Sequence, residues 1–337
     1  MILDELERQR VARQLRLPGF GIEQQERLNK GRVLVIGAGG LGSPALQSLA
    51  AAGVGSIRLV DNDTVDVSNI QRQILFGVGD VGRSKVHVAA ERLRALQPGI
   101  RIDARTERLT AHNAHELAEG CDVILDGSDT FATKFLCGDL AEITGIPLVW
   151  GSVLQFDGHM GVFTREVGLR DLFPEAPAQG LNCADAGVLG ATTAVIANLM
   201  ATETIKILAG IGTVQPGAVA TYNALTSTFR TYTVGRDPLR PAARTLHTWT
   251  LPNEYELIDV REPHEIEHTP SGAHITLSQS MWDDTTAIQH ALDNITTDNV
   301  VVVCASGIRS AAFIEQFAHL NPHLTFHNVP SGINELP

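Results

Sequence analysis

A chain of 337 residues with 44% hydrophobic content and 31 glycines is long enough for two domains and suits an α/β protein with a sizeable core. Its net charge of −12 argues against nucleic acid or an anionic membrane as main partner, since both ask for a basic surface. No apolar run approaches ~20 residues, the start MILDELERQR has no signal-peptide core, and Cys121, Cys137, Cys183 and Cys304 form no C-x-x-C pair, so the chain reads as cytoplasmic with reduced thiols.

Residues 2–16 alternate charge and apolar positions in a helical way, with Arg10, Arg13 and Arg16 roughly on one face. For each arginine alone, a solvated helix face is the plain reading. The turn LPGFG leads to a second helix, IEQQERLNK, which Gly31 stops. Then Val33 to Ile36 form a buried strand, followed by Gly37-Ala38-Gly39-Gly40-Leu41-Gly42 and a helical run ending at Gly53. Strand, glycine turn and helix make a phosphate site: Gly37, Gly39, Gly40 and Gly42 let an anion approach the backbone, and the helix N-terminus offers N–H groups. Alone, this pattern says nucleotide, with NAD as the default.

The residues that follow change that default. A second strand, Ser56 to Val60, ends at Asp61, where a dehydrogenase would hold a ribose hydroxyl. Here the acid continues into Asp63, Asp66, Ser68, Asn69, Gln71, Arg72 and Gln73, a polar cluster too dense for ribose alone. Arginine beside acids and amides suits a triphosphate and its magnesium. Lys85, near the start of the next helix, can reach phosphates, against the alternative of a surface lysine. A third strand and helix precede the strand DVILDGSDT, which carries Asp126 and Asp129 at the edge where open α/β sheets bind ligands. Asp129 is read as the Mg²⁺ ligand and Asp126 as structural, although either could cap the helix FATKFLCGDLAEITG.

Over about residues 8–235 the sequence resembles the ubiquitin-activating-type, ThiF-like adenylyltransferases of cofactor synthesis. The carriers are RVARQLRLPGFG, GAGGLGS, DNDTVDVSNIQRQ, GRSKV and DGSDT, the SNIQRQ block being the most specific. The resemblance implies a Rossmann-like nucleotide-binding domain with a mixed sheet. It also implies ATP and the C-terminal Gly-Gly of a ubiquitin-like sulfur carrier as substrates, and a homodimer. Carried over, Gly40 and its neighbours line the nucleotide together with Asp63 and Ser68, Asp61 holds the ribose, and Asn69, Arg72 and Lys85 contact the phosphates. Asp129 positions magnesium with Thr130 beside it, and Arg13 enters the partner's site. Two positions depart from the pattern: Thr130 and Lys134 stand where Asn and Arg are usual. Many relatives bind zinc through two C-x-x-C pairs; here those positions fall on Gly168, Asp171, Arg240 and Ala243, so no structural zinc is expected and something else must order the region.

IPLVWGSVLQFDGHMGVFT reads as a hairpin turning at Phe156-Asp157-Gly158 that extends the sheet toward the carrier. FPEAPAQGLNCADAGVLG reads as a mobile loop carrying Cys183. In related enzymes a matching cysteine bonds to the carrier's activated C-terminus; an incidental, partly exposed thiol is the competing reading. Cys121 and Cys137 read as core. A buried helix at 191–209 and a closing hairpin end the domain, giving bounds of 1–235, a linker at 236–250 and a second domain at 251–337.

The second domain repeats strand and helix around VVVVC-ASGIR-SAAF, in which Cys304 ends a strand and Arg309 opens a helix. Such a placement favours a thiolate, and the loop amides can cradle an anionic persulfide. With LIDVRE and VPSGINEL, this stretch resembles the small α/β rhodanese-like sulfurtransferase domain, loaded by a persulfide or thiosulfate donor. Asp259 and Arg261 read as structural, and the spacing of His264, His268 and His274 fits no common metal site. The two halves together imply adenylation of the carrier's C-terminal Gly, then sulfur transfer from a Cys304 persulfide to give a thiocarboxylate. The rivals are adenylation only, with the second domain docking, and an NAD(P)-dependent oxidoreductase.

Overall fold

The computed structural model describes residues 3–174, 187–246, 251–266, 274–305, 307–329 and 332–333. The chain divides near residue 247 into two compact units.

The first unit is built on one eight-stranded sheet. Its strands are β1 (Arg32–Ile36), β2 (Ser56–Val60), β3 (Arg101–Arg105), β4 (Val123–Asp126), β5 (Leu148–Leu154), β6 (Asp157–Phe163), β7 (Ala218–Asn223) and β8 (Thr228–Thr233). Their order is β3-β2-β1-β4-β5-β6-β7-β8. The first five are parallel and the last three antiparallel. The chain leaves β1 toward β2 on one side and returns at β4 on the other, so the C-terminal ends of β1 and β4 flank the switch point where such sheets bind ligands. The central strands are buried on both faces, as their unbroken apolar runs require: Val33, Leu34 and Val35 are fully buried.

The helices are α1 (Glu5–Arg10), α2 (Ile22–Lys30), α3 (Gly42–Ala52), α4 (Lys85–Leu96), α5 (Ala114–Ala118), α6 (Phe131–Thr144), α7 (Leu169–Leu172) and α8 (Gly190–Ala209). The expected face of three arginines does not form, because α1 closes at Val11, which buries itself in the core; Arg13 and Arg16 lie beyond it and are exposed. α8 buries Ile196, Ala197, Met200 and Ala201 against α3, β5 and β6, which explains its small apolar composition. The β5–β6 turn is Gln155–Phe156, one residue earlier than the sequence suggested. A two-residue hairpin turn asks for positive φ, and Gln155 supplies it at 53°, braced by backbone bonds to Gly187 and Leu189. Cys137 is buried as expected; Cys121 is only half-buried.

An ion-pair cluster orders the region around Gly168, Asp171, Arg240 and Ala243. Arg240 donates from Nε to Asp171 Oδ1 (2.7 Å) and from Nη2 to Asp171 Oδ2 (2.8 Å), and also binds Glu142. The Gly168 amide donates to Asp171 (2.7 Å) and the Ala243 amide to Glu142 (2.9 Å). Both carboxylates are essentially buried, at 0% and 2% side-chain exposure. The stretch after residue 235 is therefore no free tether: residues 236–243 are pinned to the first unit, and Leu246 packs against its core.

The second unit is a four-stranded parallel sheet of β9 (Glu256–Asp259), β10 (His274–Thr276), β11 (Asn299–Val303) and β12 (Thr325–Asn328), ordered β10-β9-β11-β12. Helices α9 (Thr285–Asp293) and α10 (Ile308–Phe317) pack on it through Ile288, Leu292, Phe313 and Phe317. Asp259 and Arg261 do pin the end of β9, as a buried pair at 2.8 Å. Among the described residues no helix is long and apolar enough to cross a membrane.

Candidate active site

The glycine turn sits at the switch point, and two of its positions, Gly37 and Gly42, cannot take another residue. Gly37 has φ +88°, and a Cβ there would press on the Gly127 carbonyl at 3.1 Å; a Cβ on Gly42 would run into the Gly37 carbonyl. The turn is fastened by Gly37 N–H to Val60 O (2.8 Å), Gly127 N–H to Ile36 O (2.8 Å) and Ser43 Oγ to Ala38 O (2.8 Å). Gly39 and Gly40 face Gln73 and Arg72, at 3.7 and 3.4 Å from where a Cβ would stand.

Asp61, at the end of β2, accepts the Ala38 N–H of the turn at 2.7 Å and the Asp63 N–H at 2.8 Å. Burial raises its pKa and the Lys85 charge opposes that rise. Lys85 is buried (4% exposed) and is no surface lysine: its Nζ meets Asp63 Oδ2 at 2.8 Å. Arg72 folds over a 3-10 turn (Val67–Asn69), donating to Asn69 Oδ1 at 2.7 Å and Ser68 O at 3.2 Å. Ser68 is spent on Asp66, through its amide (2.7 Å) and its hydroxyl (2.5 Å). The N-terminus of α8 closes this side, with Thr193 against Gly40 and Gly190 against Gln71 and Arg72.

Past β4 the loop carries Asp126, Ser128, Asp129 and Thr130. Asp126 is fully buried and structural, accepting from the Ser128 amide and hydroxyl. Thr130, rather than Asp126 or Asp129, is the N-cap of α6: its side-chain oxygen accepts from Thr133 N–H at 3.3 Å. Lys134 is the residue whose role the sequence hid. It is 2% exposed, and its Nζ meets Asp126 Oδ2 (3.3 Å), Ser128 O (2.7 Å) and Gly151 O (2.8 Å). One ammonium thus ties the β4 loop to β5, with every proton used. Asp129 is exposed at the tip of the loop so fixed. A lone exposed carboxylate has the oxygen chemistry of a Mg²⁺ ligand that shares its ion with phosphates. Among the described residues no group of three or more His, Cys, Asp or Glu could hold a metal by itself.

The turn, Asp61, Lys85, Arg72 and the Asp129 loop therefore follow three adjacent strands, β2, β1 and β4, at one sheet edge. Arg13 lies exposed in the N-terminal segment, and among the described residues no side-chain hydrogen bond ties it to this edge. Cys183 lies outside the described residues.

In the second unit Cys304 is fully buried at the end of β11. Its Sγ accepts the Gly307 N–H at 3.1 Å and lies 3.4 Å from Ser310 Oγ. Asn328, unremarked in the sequence, staples both residues: it accepts from Ser310 Oγ (2.6 Å), whose oxygen then faces the sulfur, and donates to Gly307 O (3.0 Å). Arg309 makes two bonds to Glu265, at 2.6 and 2.7 Å.

The ThiF family model matches residues 11–242. The probable adenylyltransferase/sulfurtransferase MoeZ of Mycobacterium tuberculosis is 39% identical, over 90% of this chain and 86% of its own. The sulfur carrier protein adenylyltransferase of Thermus thermophilus is 45% identical, over 74% and 94%. Among solved structures, Escherichia coli MccB with MccA-N7isoASN superposes with a TM-score of 0.63 at 17% identity, over 71% and 75%, a likeness of fold. With the nucleotide-type edge intact within the matched span, this chain belongs to the ThiF family.

Proposed function

We propose that this chain is an adenylyltransferase and sulfurtransferase acting on a sulfur-carrier protein with a C-terminal Gly-Gly. The convergence of the glycine turn, Asp61, Arg72, Lys85 and Asp129 on one sheet edge carries the reading. The carrier's carboxylate attacks the α-phosphorus of ATP, pyrophosphate leaves, and an acyl-adenylate forms. That chemistry needs placement and positive charge more than a general base. Arg72 and Lys85 supply the charge: each is held by a single acceptor side chain, Asn69 or Asp63, that phosphate oxygens can replace. Asp61 holds the ribose and Asp129 a Mg²⁺, which when bound neutralises phosphate charge.

The persulfide of Cys304, cradled by the Gly307 amide, then attacks the activated carbonyl and AMP leaves. An acyl disulfide remains, and a thiol attacking Cys304 Sγ releases the thiocarboxylate. Cys183 is one candidate for that thiol. The protein acts as a homodimer in which Arg13 reaches the partner's site. Exposed Leu6, Leu17, Val67, Ile74 and Val78 support a second copy covering this part of the chain.

ATP–pyrophosphate exchange tests the first half. Exchange is expected only with a Gly-Gly-ended carrier present, and Asp129→Ala should lower it about a hundredfold or more, the cost of losing one transition-state stabiliser. Carrier-independent exchange, or an unchanged rate in the variant, would overturn the assignment. Separately, Cys304→Ala should stop thiocarboxylate formation while exchange stays within about twofold, because sulfur enters only after AMP is in place.

A further inference from the structure

Along the glycine turn, three successive residues each meet a different polar side chain. Ala38 donates its N–H to Asp61 at 2.7 Å. A Cβ on Gly39 would stand 3.7 Å from Gln73 Nε2, and one on Gly40 3.4 Å from Arg72 Cγ. Asp61 and Arg72 have roles in the reading above; Gln73 has none. It is 4% exposed, and its Oε1 has no hydrogen-bond partner among the described residues. Its backbone is fixed: the N–H donates to Asn69 O (2.9 Å), the carbonyl accepts from Phe76 N–H (3.0 Å), and Leu75 and Phe76 are buried after it. A buried amide left short of partners is destabilising, and a fold seldom keeps one without use. Gln97 Oε1 is also without a partner, but Gln97 closes α4 just before β3 begins, at the opposite edge of the sheet. Place, and not burial alone, singles out Gln73.

The order of these three side chains matches the order of groups in a nucleoside triphosphate. Ribose, α-phosphoryl, then β- and γ-phosphoryl follow one another from Asp61 toward Arg72 and Lys85, so the α-phosphoryl falls at Gly39. Adenylation changes bonding at that group. The carboxylate oxygen attacks the α-phosphorus and a new P–O bond forms. The bond from the α-phosphorus to the bridging oxygen breaks, and pyrophosphate leaves with the electron pair. The free α-oxygens need a donor already in place, which a buried amide supplies without reorganising. Its protons stay on nitrogen throughout.

We infer that Gln73 donates from its side-chain amide to a free α-phosphoryl oxygen of ATP and stabilises the transition state of adenylation. The inference rests on the adenylation reading above and adds to it a residue and an atom. Arg72 and Lys85 hold the pyrophosphate that departs; Gln73 holds the group that is transferred. Its removal should therefore slow the chemical step more than it weakens ATP binding.

The test uses the full chain with a Gly-Gly-ended carrier. Gln73→Met keeps the length and bulk of the side chain and removes the amide. Because Oε1 has no partner to lose, the variant should melt within about 2 °C of the wild type. Its affinity for ATP without carrier, measured by calorimetry, should stay within about threefold, while carrier-dependent pyrophosphate exchange falls about a hundredfold. The two diastereomers of ATPαS, with sulfur at one or the other free α-oxygen, locate the contact. Sulfur is a poor acceptor, so the wild type should use one diastereomer about tenfold more slowly than the other, and Gln73→Met should lose most of that difference. Should Gln73→Met fail to fold, the wild type still decides: the slower diastereomer should stay slow when Cd²⁺, which binds sulfur, replaces Mg²⁺. Exchange within about twofold of wild type in Gln73→Met, ATP affinity lost in step with rate, an unchanged diastereomer ratio, or rescue by Cd²⁺ would overturn the inference alone. No carrier-dependent exchange by the wild type would overturn the adenylation reading and the inference with it.

Discussion

Lys134→Met is expected to lower the first unit's stability by about 3–5 kcal/mol, the usual cost of leaving one member of a buried ion pair behind. For a unit of this size that is a fall of roughly 10 °C in melting temperature. The reason is local. Asp126 is fully buried, and Lys134 is its cation; the Ser128 and Gly151 carbonyls lose the same donor. Ser128 precedes Asp129, so the damage reaches chemistry: a displacement of about 1 Å in a positioned ligand costs on the order of a hundredfold in rate. A paired variant separates the two effects. Asp126→Asn with Lys134→Met removes both charges, so most of the lost melting temperature should return. The exchange rate should not return, because nothing then ties Ser128 to β5. A single variant that melts within ~2 °C of wild type would show that the lysine is not the staple described.

Arg240→Met should be as damaging, for a different reason. It strips the bidentate partner from Asp171 and the nearest cation from Glu142, leaving Arg236 at 3.4 and 3.6 Å as their remaining cation. Two buried carboxylates sharing one distant cation again cost about 3–5 kcal/mol. The segment from 236 to 246 should come loose as well, which limited proteolysis would register as a new early cut. The cluster also sets an acid limit. Burial pushes the Asp171 carboxyl up, but the Arg240 bonds and the Gly168 and Asp237 amides overcome it and hold it at about 2, below the ordinary 3.8. A depressed carboxyl stabilises above its unfolded value and loses that contribution as pH falls through the folded one. Thermal melts of the wild type should therefore keep this contribution down to pH 3.8 and lose it progressively toward pH 2. Loss already at pH 6 would point to some other group.

What could be read from the sequence follows the range of the physics. The β1 strand, its glycine turn and α3 are a local pattern: Gly37 and Gly42 are dictated by backbone contacts within a few residues and by one neighbouring loop. The closing hairpin of β7 and β8 was local in the same way. Lys85, Asp61 and Arg72 were visible because charged residues crowd a strand end whatever the rest of the fold does. The ion cluster was not visible. Glu142, Asp171 and Arg240 meet only once α6, α7 and the tail after β8 have been folded together, and a stretch with Pro, Gly and Arg has the composition of a tether until its partners are known. Lys134 was legible only as a departure from the usual Arg, because its contacts depend on where the β4 loop and β5 meet. The cap of α6 was sought at Asp126 or Asp129, whereas Thr130 supplies it.

The outermost strand carries one more consequence. β8 ends the sheet, and all six of its residues are exposed, from Thr228 to Thr233. Three threonines, a phenylalanine and a tyrosine make it a strong β-former, with Arg230 as its sole charge. Such an edge is a template for any other unpaired strand, and charge is the common means of blunting it. Arg230 is therefore the gatekeeper against aggregation. In the native sheet one edge of β8 is hydrogen-bonded to β7, with the paired Tyr222 and Phe229 in ring contact. During refolding at high concentration the same hexamer is free to pair between molecules, so recovery of soluble protein should fall with concentration and fall further when Arg230 is neutralised.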